Sequence, residues 1–209
     1  MQGLKFVHLI RNEMTTPFKN ILKNVSRYTS LTPEEQEAFC ALLTVRKVKR
    51  KQFLLQEGGI CEYEYYVNSG CFRTYHLDPK GIEHNVYFAI EDWWTSDLYS
   101  RTTGEPTYCN IVAMEDSEVV QISQIDLEAF TLKVPAMERF FRISYQQSLI
   151  NQHLRNLQML YMNGQDRYIY FREKFPALAN RIPQKHIATF LGLTPEFFNT
   201  VHARVLRLE

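Results

Sequence analysis

Between Pro135 and Met162 apolar residues recur every three and four positions: Phe140, Ile143, Gln147, Ile150, Leu154, Leu157 and Tyr161. This is one a/d seam with a single polar member, Gln147, and it predicts a long helix. Pro135 suits the first turn, where a missing N–H leaves nothing unpaired, and Asn163-Gly164 can take positive φ and stop the helix. About 28 residues rising 1.5 Å each give a rod roughly 42 Å long. A second line, Met137, Phe141, Ser144, Leu149 and Leu160, is partly apolar and suits packing on the chain's own body. Two readings stand: a rod that joins two domains and pairs with a second copy, or one buried helix of a globular core. Gln147 favours the pair, because a single buried amide sets register in a coiled coil and is wasteful in a core.

The pattern differs on either side of this rod. Residues 15–43 predict two helices. Thr32-Pro33-Glu34-Glu35 starts the second with a hydroxyl N-cap, proline at the first position and a glutamate to close a capping box; Phe39, Leu42 and Leu43 give it an apolar face. From Val45 onward the segments are short and β-like, with turns between them. Phe53–Leu55 runs into Glu57-Gly58-Gly59, Tyr63–Val67 into Asn68-Ser69-Gly70, and Cys71–Leu77 into Asp78-Pro79-Lys80-Gly81; Ile82–Ile90, Thr107–Met114 and Glu118–Ile122 follow. Such spacing predicts an antiparallel sandwich or barrel. Ser123 then caps a short helix that turns Leu127 and Phe130 inward. Beyond the rod the chain reads as helical. In 182–201, Pro183 opens a helix with Ile187, Ala188 and Leu191 on one face, Gly192 makes a turn, Leu193 plugs it, and Thr194-Pro195 starts a second helix. This is the helix-turn-helix pattern, although any αα-corner can look similar.

The 209 residues thus divide into a β-rich domain over 1–134, a linker or dimerisation helix over 135–163 and a helix-turn-helix domain over 164–209. No apolar run reaches the roughly 18 residues of a membrane span. Phe6–Ile10 is apolar but lacks a cleavage-type small-residue site, so no signal peptide is expected and the chain reads as cytoplasmic. Cys40, Cys61, Cys71 and Cys109 form no C-x-x-C pair and read as reduced, buried thiols or as one adventitious disulfide. The net charge of +1 hides an asymmetry. From Gly164 on, seven basic residues stand against four acidic ones, which permits a nucleic-acid partner for the tail. The run Arg46-Lys47-Val48-Lys49-Arg50-Lys51 reads either as a basic patch or, more simply, as the wet side of an edge strand.

This order of elements resembles the Crp/Fnr family of bacterial transcription regulators: short helices, a β-roll with Gly58, Gly70 and the 78–81 turn, a long helix and a terminal helix-turn-helix. The likeness runs from about Pro17 to the end. It implies an α+β fold: an N-terminal cyclic-nucleotide-binding-like jelly roll, a long helix along which two copies pair in parallel, and DNA reading by the helix from Thr194 onward. The family's effector cassette falls on Trp93, Trp94, Thr95 and Ser96, with Thr107 and Tyr108 about where its phosphate-neutralising Arg-Ser pair belongs. Thr95 and Ser96 replace a Gly-Glu pair, and no arginine answers a phosphate. A buried monoanion without a cation is costly, so cyclic AMP is not the expected effector. Trp93, Trp94 and Tyr108 either line a pocket for another small molecule or fill it.

The resemblance also places Glu196 at a base-contacting position and Thr200 where relatives commonly carry arginine. Asn199, His202 and Arg204 are further outward candidates, Thr194 caps the helix, and Gln184 and Lys185 suit phosphate contacts. Ending at Glu209, the chain is expected to be a short form without the family's β-wing. No cysteine before Cys40 answers to an iron–sulfur set. His76 and His84 lack the companions a cupin metal site needs, and no nucleophile elbow or phosphate loop appears. No cofactor, metal site or enzyme activity is expected. The reading is therefore a homodimeric DNA-binding regulator with an altered effector site. The alternative is a dimeric ligand-sensing or protein-interaction module whose helix-turn-helix no longer reads bases.

Overall fold

The structure, a computed structural model, describes residues 16–207. The Phe6–Ile10 patch and Glu209 lie outside the described residues. A 3-10 turn (Thr16–Phe18) leads into α1 (Lys19–Val25), and α2 (Pro33–Ala41) follows. The α2 start is the capping box its sequence predicts. Thr32 Oγ1 accepts the Glu35 N–H at 3.2 Å, and the Glu35 carboxylate accepts the Thr32 N–H at 2.8 Å, satisfying two donors the helix itself cannot use.

Eight strands come next: β1 (Thr44–Val48), β2 (Phe53–Leu55), β3 (Tyr63–Ser69), β4 (Cys71–Leu77), β5 (Glu83–Ile90), β6 (Trp94–Thr95), β7 (Asn110–Ala113) and β8 (Ser117–Ser123). A short helix, α3 (Leu98–Thr103), interrupts them between β6 and β7. They form two four-stranded sheets in the orders β1-β8-β3-β6 and β2-β7-β4-β5. In the first sheet β1, β3, β6 and β8 pair antiparallel, with Tyr65 opposite Thr95 and Tyr66 opposite Trp94. β1 is an edge strand. Its residues Thr44–Lys47 are exposed, Arg46 donates to Phe53 O and Lys49 pairs with Asp116 at 2.9 Å, so the basic run is a solvated edge.

The chain then continues through α4 (Gln124–Lys133), the long α5 (Pro135–Tyr161), α6 (Gly164–Lys174), α7 (Pro176–Arg181), α8 (Gln184–Phe190) and α9 (Pro195–Leu206). Two compact units result. The first holds the chain to Phe72 together with Ala89–Gln146; the second holds Arg73–Phe88 together with the chain from Gln147 onward.

The first unit's core lies where α1, α2, α4 and the start of α5 cover β3 and β8, with Ile21, Phe39, Tyr66, Val120, Phe130 and Phe140 among its buried members. Phe39 stacks on Phe130 at 5.5 Å, and Phe140 meets Phe141 edge-on at 5.1 Å. Two backbone positions fix the turns around this core. Asp92 sits at φ +72, held by Asn24, which donates to its carbonyl and carboxylate (both 2.9 Å), and by the Tyr66 hydroxyl (3.0 Å). Gly70, at φ +103, permits a β3–β4 turn so close that an added Cβ would lie 2.0 Å from Ser117 Oγ.

Phe140 corrects the predicted seam. It is wholly buried in the chain's own core and offers nothing to a second copy. Heptad spacing alone does not decide this, since the same stripe can serve an internal core or a partner helix. Ile143 is half-buried, Gln147 is exposed, and Ile150, Leu154, Leu157 and Tyr161 are 41–72% exposed. On the second line Met137 and Phe141 are buried, whereas Leu149 and Leu160 are open. None of the four cysteines forms a disulfide; Cys40, Cys61 and Cys71 are buried, and burial pushes the Cys40 thiol up to about 11.

Candidate nucleic-acid interface and effector cassette

In the second unit the helix pair α8–α9 is built on an aromatic floor. Tyr168 of α6 meets Phe198 of α9 edge-on at 4.8 Å, and Phe171 meets Phe190 of α8 at 5.7 Å. Ile187, Ala188 and Leu191 face inward as their spacing predicts. Gly192 (φ +69) makes the turn after α8, the Leu193 N–H reaches back to Ala188 O at 2.9 Å, and Leu193 is buried as the plug. Thr194 then caps α9, its hydroxyl accepting the Phe197 N–H at 3.2 Å. Gly164 has a role its sequence context did not suggest. It opens α6 in a buried position behind the Asn163 cap, and a Cβ there would press on Leu193 and Phe197 at 3.0 Å.

Of the residues predicted to meet DNA, Lys185, Glu196, Asn199, Thr200 and Arg204 are exposed. Glu196, Thr200 and Arg204 succeed one another by a helical turn, and the Thr200 hydroxyl bonds back to Glu196 O at 3.5 Å. Gln184 and His202 do something else. Their side-chain nitrogens lie 3.2 Å apart, and the half-buried His202 ring packs 5.6 Å from Tyr168 and 5.9 Å from Phe198. The pair ties the first turn of α8 to α9. Phe197, 53% exposed, and the exposed Ala203 are further, apolar groups open on α9.

The cassette residues do not converge. Trp94 is a packing group: its ring lies 5.2–5.8 Å from Tyr66, Phe140 and Phe141, and its N–H donates to Asn24 Oδ1 at 2.9 Å. Trp93 is half-buried, with its carbonyl accepting the Val67 N–H. Thr95 is buried with its hydroxyl unpartnered, and Ser96 donates to Glu64 at 2.9 Å. Tyr108 stands 63% exposed against Tyr99, ring to ring 5.6 Å. Trp94 and Tyr108 are therefore no walls of a common pocket; one is drawn to the helix-covered face, the other to solvent. Two cavities, of about 330 and 260 Å³, lie under α6, α7 and α9 and beside α1 and α2 respectively, neither touching these residues.

Two groupings that sequence reading missed occupy the cassette instead. Asp97 caps α3 by accepting the Tyr99 N–H at 3.1 Å, and the buried Thr107 hydroxyl donates to its carboxylate. Arg101 lies on α3 and is buried. It pairs with Glu64 at 2.8 Å and donates to the Tyr145 hydroxyl and to Gln124 Oε1. Burial pushes the Glu64 carboxyl up, opposed by Arg101 and by hydrogen bonds from Ser96 and Tyr145. The signal was present: one glutamate within the strand run Tyr63–Val67 demands a buried partner. Among the described residues no group of three or more His, Cys, Asp or Glu side chains is placed to hold a metal ion, and His84 pairs with Asp78 at 3.0 Å.

Residues 45–133 match the cyclic nucleotide-binding domain family. No curated protein sequence matches the chain. Among solved structures it is similar to the c-di-GMP-responsive global regulator CLP of Xanthomonas campestris, at 12% identity over 84% of this chain and 92% of that one, with a TM-score of 0.70. It is also similar to FixK2 of Bradyrhizobium japonicum, at 18% identity over 79% and 85% with a TM-score of 0.69. A Eubacterium rectale protein placed in the crp/fnr family gives 16% identity over 85% and 84% with a TM-score of 0.66. The chain therefore has the fold of Crp/Fnr-type regulators: an N-terminal cyclic-nucleotide-binding-type β-sandwich followed by C-terminal helices. No helix of the described residues is long and apolar enough to cross a membrane.

Proposed function

We propose that this protein is a homodimeric DNA-binding transcription regulator whose effector site does not take cyclic AMP. The observation that carries the reading is the second unit's helix pair: Thr194 caps α9, Gly192 sets the turn, and Glu196, Asn199, Thr200 and Arg204 are exposed along one helix. Laid in a major groove, α9 offers Glu196 as an acceptor for the cytosine amino group, Asn199 for adenine and Arg204 for guanine or phosphate. Lys185, exposed in the first turn of α8, meets the phosphate backbone. Ile150, Leu154, Leu157 and Tyr161 supply the face on which two copies pair, setting two reading helices on one duplex.

The committed state of Arg101 supports the exclusion of cyclic AMP. The cation nearest the cassette in sequence already balances Glu64, and Thr107 already donates to Asp97. A cyclic phosphate placed there would find no free positive charge and would have to break a buried pair to recruit one. Fluorescence anisotropy on labelled duplex DNA tests the reading. Lys185→Ala should weaken binding to all sequences alike and make its salt dependence shallower, whereas Glu196→Ala should relax preference at one base pair per half-site. If both variants bind every duplex as the wild type does, α9 does not read DNA.

A further inference from the structure

Within the second unit one arginine has an unusual environment. Arg155, on the long helix α5, donates from Nη1 to Val86 O (3.0 Å) and from Nη2 to Asn85 O (3.4 Å) and to Phe190 O (2.8 Å), and its guanidinium lies over the Phe190 ring at 4.1 Å. These acceptors are backbone carbonyls of the β4–β5 hairpin and of the last residue of α8. Phe190 O is one of the carbonyls that a helix C-terminus leaves without a partner, where a cation is also favoured by the helix dipole. Burial lowers the Arg155 pKa, so the guanidinium is partly desolvated for the sake of these contacts.

A second fastening lies one residue away. Asn85 is 2% exposed; its side-chain amide donates to Thr189 Oγ1 at 2.6 Å and to His186 O at 3.3 Å, and its Oδ1 accepts from Arg73 at 3.3 Å. Burial, with the charges of Arg73 and Lys185 nearby, holds His186 down at about 4, so this side of α8 is neutral where it meets the hairpin. Phe88 adds a ring contact to Phe190 at 5.2 Å. The long helix also abuts the turn directly, since a Cβ on Gly192 would fall 2.3 Å from Met159 Cε. None of these groups covers Lys185, Glu196, Asn199, Thr200 or Arg204, all of which stay exposed.

The geometry points to Arg155 as a positioning residue for DNA reading: with Asn85 it locks α5, the β4–β5 hairpin and α8 into one body, so that α9 is carried at a fixed angle to the helix on which the copies pair. The inference rests on the DNA-reading proposal above. Its physical content is preorganisation. Two reading heads on one dimer gain roughly 10²–10⁴ in avidity only if their geometry matches the spacing of the half-sites. Loosening the lock leaves each head intact and spreads the distance between them. Affinity for a two-fold site then falls, while affinity for one half-site does not.

The test uses the whole 209-residue chain. A two-fold site is first selected from a random 30-base-pair pool by the wild type, and a second duplex keeps one half-site and scrambles the other. Dissociation constants for both duplexes are measured for wild type, Arg155→Met, which keeps the side chain's length without its donors, and Asn85→Ala, which opens the second fastening independently. Sedimentation and thermal melting confirm that the variants remain folded dimers. The expected result is a loss of about tenfold or more on the two-fold site in both variants, with about twofold or less on the half-site duplex. Unchanged affinity for the two-fold site overturns the role of the lock, as does an equal loss on both duplexes, which marks damage to the reading head itself. Should the wild type select no two-fold site, the DNA reading fails first, a result separable from the other two.

Discussion

Removing the guanidinium of Arg101 isolates the chemistry of the buried Glu64–Arg101 pair. In Arg101→Met the side chain keeps most of its volume, but Glu64, whose side chain is 3% exposed, loses its countercharge and retains only the donors of Ser96 and Tyr145. Two losses add. The hydrogen bonds to Gln124 and Tyr145 disappear at every pH, at about 0.5–1.5 kcal/mol each. The stranded carboxylate brings the total to about 3–5 kcal/mol near neutrality. Only the second loss depends on pH. Desolvation already holds the folded Glu64 carboxyl above its ordinary value of 4.5, and without Arg101 it rises further. A carboxyl whose folded pKa exceeds its unfolded one stabilises the fold fully below the unfolded value, and that stability is lost as pH climbs through the folded one. Urea melts at pH 5 and pH 8 should therefore show Arg101→Met nearer to wild type at pH 5. Adding Glu64→Gln should recover about 1–4 kcal/mol at pH 8 and much less at pH 5. Equal destabilisation at both pH values, with no rescue by Glu64→Gln, would refute a buried charge pair at this site.

Gly70→Ala should destabilise the first unit by about 1–3 kcal/mol in urea melts, because its positive φ and the approach to Ser117, backbone included, leave no room for a methyl group; a neutral result would contradict the β3–β4 turn geometry. If two copies pair along α5 as proposed, Leu154→Asp should give monomers in sedimentation by placing an unpaired charge on that exposed face, whereas Phe140→Ala should lower stability by about 3–5 kcal/mol through the chain's own core. Neither cyclic AMP nor cyclic GMP at millimolar concentration should raise the melting temperature, although a ligand at 100 times its dissociation constant would add about 2.7 kcal/mol. A clear upward shift would mean that the Asp97–Thr107 and Glu64–Arg101 groupings open to admit a nucleotide.

What local chemistry specifies was legible in the sequence. The capping box at Thr32, the cap at Ser123, the Gly192 turn, the Thr194 cap and the strand-and-turn rhythm from Val45 onward each depend on residues within a few positions of one another. What escaped depends on contacts distant in the chain. Phe140 belongs to the heptad stripe, and only the sheet beneath it decides that it faces inward. Trp94 is a plausible pocket wall until Asn24, 70 positions away, accepts its N–H. The burial of Arg101 depends on the Asp97 cap of α3 and on its pairing with Glu64, 37 positions away. Asn85 and Thr189 stand 104 positions apart, and no periodicity announces that the β4–β5 hairpin packs on α8.

The central claim, that α9 reads DNA as one half of a dimer, is tested most directly by selecting binding sites from a random duplex pool with wild type and with Thr200→Arg. The wild type should enrich a two-fold symmetric motif with half-sites about one helical turn apart. Thr200→Arg, one turn from Glu196 on the exposed face, should add a guanine at the facing position and tighten binding by about 1–3 kcal/mol per half-site. Enrichment of no symmetric motif by either protein would contradict it, and a dimeric interaction module would then be the better description of the chain.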